Sequence, residues 1–143
     1  MIMISSKTVL LQANDLMDMQ FLTHGSFKPS MVMGKIHHVI WEVVNLLSST
    51  LENRPVVIES HLDQDLLLQE FNFDSRRLQQ VLYNLLTNAI KFTRQGTIIV
   101  AAKVLPCKKL LSVKVIDQGI GMSEDEARRV FDGNHKTKNK ESR

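Results

Sequence analysis

NLLTNAIKFT, residues Asn84 to Thr93, is the stretch whose reading decides the fold. With DSRRLQQVLY, Asp74 to Tyr83, it forms one long amphipathic pattern. Leu78, Val81, Leu82, Leu85, Leu86, Ala89 and Ile90 recur at i, i+3, i+4 and i+7 and make a broad apolar stripe. Asn84 and Asn88 interrupt that run one helical turn apart on one face, and Lys91 continues the face at i+3. Asn is a mediocre helix former, and a buried amide without a partner is costly. Two amides at this spacing therefore need partners, either backbone groups of a neighbouring loop or a ligand.

Outward from this helix, Asp74 or Ser75 can cap its start, and Gly96 stands where a C′ glycine would end it near Arg94. TIIVAAKVL, from Thr97 to Leu105, alternates as a strand with Ile98, Val100, Ala102 and Val104 on one face. PCKK is a turn and LLSVKVID the returning strand of an antiparallel hairpin. Ser123 with Glu126 at N3 spells a capping box for a last helix. Upstream, helices are expected from about Thr8 to Leu22 and from about Lys35 to Leu51. VVIES, from Val56, is a short strand, and HLDQDLLLQEFNF reads as loop with a short extended piece. This order makes an α+β protein with helices on one face of a sheet.

The bulk numbers agree with one soluble domain and a helical extension in 143 residues. The net charge of +3 comes from a tail: residues 136–143 carry four of the 18 basic residues and one of the 15 acids, leaving 14 charges of each sign elsewhere. Neither nucleic-acid binding nor a membrane span is expected, because the body is neutral and no segment approaches the ~20 apolar residues a span needs. The lone Cys107 cannot form an internal disulfide and suits a reducing, cytoplasmic setting.

A second constellation follows the hairpin. In LLSVKVIDQGIGM, Leu111, Val113 and Val115 share a strand face and Asp117 continues it in phase, toward the core side. Gly119 and Gly121 bracket Ile120, and glycines there permit positive φ or let a flat ligand lie against the backbone. Taken alone, D-x-G-x-G is equally a turn capped by its Asp.

Together the two constellations are far more specific. DSRRLQQVLYNLLTNAIKFTRQGTIIV and VKVIDQGIGMSEDEARRVF resemble the N box and first glycine box of the ATP-binding domain of sensor histidine kinases, within the gyrase–chaperone–kinase–mismatch-repair ATPase superfamily. The resemblance implies a two-layer α/β sandwich over residues 25–134, the end of a helical dimerisation hairpin over 1–24, and a basic tail over 135–143. It implies that Asn88 coordinates Mg²⁺ on the ATP phosphates, through a hard amide oxygen. It assigns Lys91 to the phosphates and gives Phe92 a place near the nucleotide, although core packing has an equal claim on Phe92. Hydrolytic branches of the superfamily carry a glutamate where Asn84 stands. An amide takes no proton from water, so Asn84 favours phosphoryl transfer over hydrolysis. Asp117 matches the acceptor of the adenine amino group, and Gly119 and Gly121 match the glycines flanking the base. Ile120 and Met122 pack near the base or in the core.

The partners so implied are ATP, a phosphoacceptor histidine domain, a response regulator receiver domain and a second copy in a homodimer. None of the five histidines has the setting of the acceptor histidine: His37 and His38 lie in the helix after Lys35, His24 and His61 read as loop, and His135 is in the tail. After Phe131 the family continues to a second glycine-rich box, where this sequence has only DGNHKTKNKESR. An incomplete sandwich with an exposed apolar edge is therefore expected. The alternative function is an interaction module without catalysis that binds a histidine kinase or response regulator.

Overall fold

A computed structural model of the chain describes residues 28–105 and 110–129. The expected N-terminal helix, the PCKK turn with Cys107, the basic tail, His24 and His135 lie outside these residues. The elements run β1 (Val32–Gly34), α1 (Ile36–Ser48), β2 (Val56–Leu62), α2 (Gln64–Leu68), β3 (Phe71–Phe73), α3 (Ser75–Phe92), β4 (Gly96–Leu105), β5 (Leu110–Ile116) and α4 (Glu124–Arg129).

The main sheet has the order β2–β4–β5. β2 runs parallel to β4, with Ile58 opposite Ile98, and β5 returns antiparallel, with Val115 opposite Val100. Alternation along β4 buries Ile98, Val100 and Ala102 on one face. Ile40 and Val43 of α1 and Leu82 and Leu86 of α3 are buried in the same core, with Val113 and Val115 of β5 packed against it. The architecture is thus the expected α+β sandwich of helices on one sheet face. Among the described residues β5 pairs only with β4, and Leu110, Leu111 and Ile116 are exposed.

Local signals explain the element ends. Asp74 rather than Ser75 caps α3: its Oδ1 accepts from Arg77 N at 3.0 Å while Oδ2 accepts from Ser30 N at 2.8 Å. At α4 the capping box forms as read, with Glu126 Oε2 accepting from Ser123 N at 2.9 Å.

Three expectations are corrected. HLDQDLLLQEFNF is not mainly loop: it finishes β2, forms α2 and supplies β3, which pairs antiparallel with the unanticipated β1. A five-residue helix is too short to show a periodicity. Its stability comes from Leu66, fully buried, and from His37, whose Nδ1 lies 2.7 Å from Leu66 O. Gly96 is not the C′ residue of α3. Thr93 is the C-cap, in an extended conformation, and Gly96 opens β4 at φ +110°. Lastly, the apolar stripe of α3 is narrower than the sequence suggests: Leu82, Leu86 and Ala89 are buried, but Val81 is 55% and Leu85 44% exposed.

The buried His37 carries a prediction. A carbonyl oxygen only accepts, so Nδ1 holds the proton, and the ring also meets Trp41 edge-on at 4.8 Å between centroids. His37→Ala leaves Leu66 O unpaired and opens a cavity, and is expected to cost about 2–3 kcal/mol in urea unfolding. A change below about 0.5 kcal/mol, the scale of an ordinary surface substitution, would contradict this role.

Candidate nucleotide site

α3 presents its buried residues to the sheet and its asparagines to the other side. Asn84, Asn88 and Lys91 are all exposed, so these amides are not core groups. They stand along the helix at a rise of about 1.5 Å per residue, which puts Asn88 about 6 Å beyond Asn84. Phe92, at the last position of the helix, is 41% exposed, which rules out simple core packing. Lys91 Nζ lies 5.2 Å from the Phe92 ring centroid.

The DQGIG loop meets this helix end directly. A Cβ added at Gly119 would lie 2.9 Å from Phe92 O and 3.1 Å from Phe92 C. Gly119 is therefore required by space, because its backbone rests on the carbonyl at the end of α3. Gly121 is required by conformation: it has φ +70° with nothing near its Cβ position. The two glycines of the motif thus answer different demands.

Asp117 departs from the expected orientation. Strand β5 ends at Ile116, so the alternation that would turn Asp117 to the core no longer applies, and the residue is exposed. Its Oδ1 turns back to accept from Gly119 N at 2.8 Å. Ile120 and Met122 are 76% and 67% exposed, so neither is core. The structure thus joins Asp117, Gly119, Phe92 and Lys91 in one contiguous region, with Asn88 and Asn84 one and two turns back along α3.

Two further residues build the region and were not singled out in the sequence. Arg54 Nη2 donates to Ile90 O and Thr93 O, both at 3.0 Å, and so satisfies carbonyls at the end of α3. This cation satisfies carbonyls at a helix end that has no C′ glycine. Gln118 Oε1 accepts from Thr97 N at 3.1 Å and ties the glycine loop to the start of β4. Neither residue carries a local signal: Arg54 reads as a turn residue before Pro55, and Gln118 is a variable position of D-x-G-x-G. Thr93 is fully buried, and its Oγ1 has no hydrogen-bond partner among the described residues.

Chemically, the region combines exposed side-chain amides, the exposed ammonium of Lys91, the Asp117 carboxylate and a flat backbone surface. Among the described residues no group of three or more His, Cys, Asp or Glu could hold a metal ion. A hard cation fits here only with few protein oxygens and with the remaining ligands from phosphate and water, which is how Mg²⁺ is ordinarily held. The donor set thus suits Mg²⁺ on a polyphosphate rather than a metal in a protein cage.

The fold defines an α/β sandwich with a candidate nucleotide site, and comparison with known proteins gives the family. Residues 73–143 match the family described as histidine kinase-, DNA gyrase B-, and HSP90-like ATPase. The chain is 33% identical over 129 residues to the non-motile and phage-resistance protein of Caulobacter vibrioides, covering 88% of this chain and 15% of that protein. It is 29% identical over 127 residues to the cell-division control histidine kinase PdhS of Brucella ovis, covering 89% of this chain and 12% of that protein. Full-length ShkA, solved in complex with AMPPNP, superposes with a TM-score of 0.72 at 26% identity, covering 87% of this chain and 27% of that one. Residues 73–143 of this chain are thus similar to an ATP-binding domain of that ATPase family, of histidine-kinase type. It spans only 15% and 12% of these curated relatives' lengths. No helix of the described residues is long and apolar enough to cross a membrane.

Proposed function

We propose that the chain is the Mg-ATP-binding part of a sensor histidine kinase in two-component signalling, and that it serves phosphoryl transfer to a histidine outside this sequence. The observation that carries this reading is the seating of Gly119 on Phe92 O, which brings the Asp117 loop to the end of the Asn84–Asn88–Lys91 helix. ShkA, similar in fold and sequence, holds an adenine nucleotide in its solved complex, which supports the same ligand here.

In this reading Asp117 accepts the adenine amino group, and the bare backbone at Gly119 and Gly121 lets the base lie close. Ile120, Met122 and Phe92 supply apolar contact to the base and ribose. Lys91 offsets phosphate charge, and the Asn88 amide oxygen is directed at the metal ion. Magnesium, when bound, neutralises and orients the phosphates. Asn84 offers no base for water, so the site positions a phosphoryl group rather than hydrolysing it; catalysis rests on orientation and electrostatics. The acceptor is a histidine domain, the final recipient a response regulator receiver domain, and a homodimer supplies one to the other. Residues 25–134 form the nucleotide-binding unit in this arrangement.

Calorimetric titration tests the metal assignment. Asn88→Ala is expected to bind Mg-ATP about tenfold more weakly or worse, as the loss of an ion-directed contact implies, and to lose most of its dependence on Mg²⁺ concentration. An unchanged affinity and an unchanged Mg²⁺ dependence together would remove Asn88 from the site. Incubation with labelled ATP and a separate acceptor-histidine hairpin tests transfer, and an unlabelled hairpin would count against it.

A further inference from the structure

We propose that Arg54 is a positioning residue for the base end of the nucleotide site. It acts by holding the last turn of α3 in the place where Phe92 O supports the glycine loop. The nucleotide part of this inference rests on the function proposed above.

The argument starts from connectivity. Arg54 lies between α1 and β2, far from α3 in sequence, yet one guanidinium nitrogen bridges Ile90 O and Thr93 O. These carbonyls flank Lys91 and Phe92. A cation at this end also meets the negative pole of the helix. The Arg54 backbone is anchored in turn, because its N–H donates to Leu51 O at 2.8 Å and Leu51 is a core residue. The next residue repeats the clasp: Pro55 O accepts from Gly96 N at 2.8 Å. Residues 54 and 55 therefore grip the α3–β4 connection on both sides of its turn.

The glycine loop depends on that same connection at two points. Gly119 sits against the carbonyl of Phe92, and Gln118 accepts from Thr97 N. Any shift of the α3 end moves one anchor of the loop, and with it the Asp117 carboxylate that is hydrogen-bonded to Gly119 N. The hydrogen bonds of the Arg54 guanidinium go to Ile90 O and Thr93 O, and neither residue is among those assigned to the nucleotide. Its effect is therefore geometric. The two N–H bonds of Nη2 are fixed in the guanidinium plane and serve the two carbonyls at once, whereas a lysine ammonium carries its donors on a freely rotating, more strongly hydrated head and holds that geometry less firmly.

The test compares the parent chain with Arg54→Met, which keeps the stem without donors, and Arg54→Lys. Amide hydrogen exchange is followed by NMR on the nucleotide-free proteins, and Mg-ATP is then titrated. In Arg54→Met, exchange at Gly119 and Thr97 is expected to quicken about tenfold or more, as the loss of two charge-assisted hydrogen bonds at the helix end implies, with Leu82 and Leu86 unchanged. The Mg-ATP dissociation constant is expected to rise by a similar factor, with Arg54→Lys recovering part of both effects. Equal quickening at Leu86 and Gly119 would mean general loosening and would overturn the proposal, as would unchanged exchange at Gly119. If exchange responds as expected but the parent chain binds no Mg-ATP, the positioning role stands and the nucleotide reading falls.

Discussion

Asp117→Asn is expected to weaken Mg-ATP binding about 30- to 100-fold and to move the preference from ATP toward GTP. The reason lies in which atom is already engaged. Oδ1 of Asp117 accepts from Gly119 N, which leaves Oδ2 to accept from a ligand amine. In the variant the amide oxygen keeps the bond to Gly119 N, so the NH₂ group takes the place of Oδ2. A donor then faces the donor of adenine, while the carbonyl of guanine becomes acceptable. The loss combines a charge-assisted hydrogen bond with an unpaired polar contact, and each is worth on the order of 1–3 kcal/mol. Titration of parent and variant with Mg-ATP and Mg-GTP measures both the loss and the change of preference. A variant that still binds ATP as the parent does would remove Asp117 from the base site.

Gly119→Ala should abolish nucleotide binding although it adds only one carbon. Its Cβ would stand 2.9 Å from Phe92 O, a helix backbone atom, and 2.6 Å from Asp117 Oδ1. The carboxylate can rotate away, but only by abandoning its bond to Gly119 N. The helix carbonyl cannot yield without disturbing the end of α3, which Arg54 and the backbone bond from Thr93 N to Ala89 O hold in place. The loop must therefore lift off the helix. We expect a stability loss of about 1–3 kcal/mol, typical of overpacking, together with loss of measurable Mg-ATP binding. Gly121→Ala is the informative contrast: it meets no atoms but adopts φ +70°, so it should cost only about 1–2 kcal/mol of backbone strain. If the two variants bind nucleotide equally well, the contact between loop and helix does not shape the site.

Most of the secondary structure was legible because its causes are local. The periodicity of α3, the alternation along β4 and the Ser123–Glu126 box each lie within a few residues, where backbone geometry translates pattern into structure. Helix α2 and the β1–β3 pair were not legible. α2 is too short for a period and depends on Leu66 entering a core built from distant residues. Val81 and Leu85 misled for a related reason: hydrophobicity marks what could be buried, and only the placement of α1 and the sheet decides which part of the stripe is covered.

The candidate site divides in the same way. Asn84, Asn88, Lys91, Asp117 and the two glycines are present as residue types at telling spacings, and the resemblance they carry led to the family. The sequence by itself therefore determined the helix, the hairpin, the loop and the chemical groups they carry, since these depend on neighbours along the chain. Only the tertiary structure decided that Gly119 rests on Phe92 O, that Asp117 turns outward to Gly119 N, and that Arg54 holds the end of α3 from 36 and 39 positions away. Contacts over such separations exist only after the core has brought the three loops together, so no local pattern can encode them.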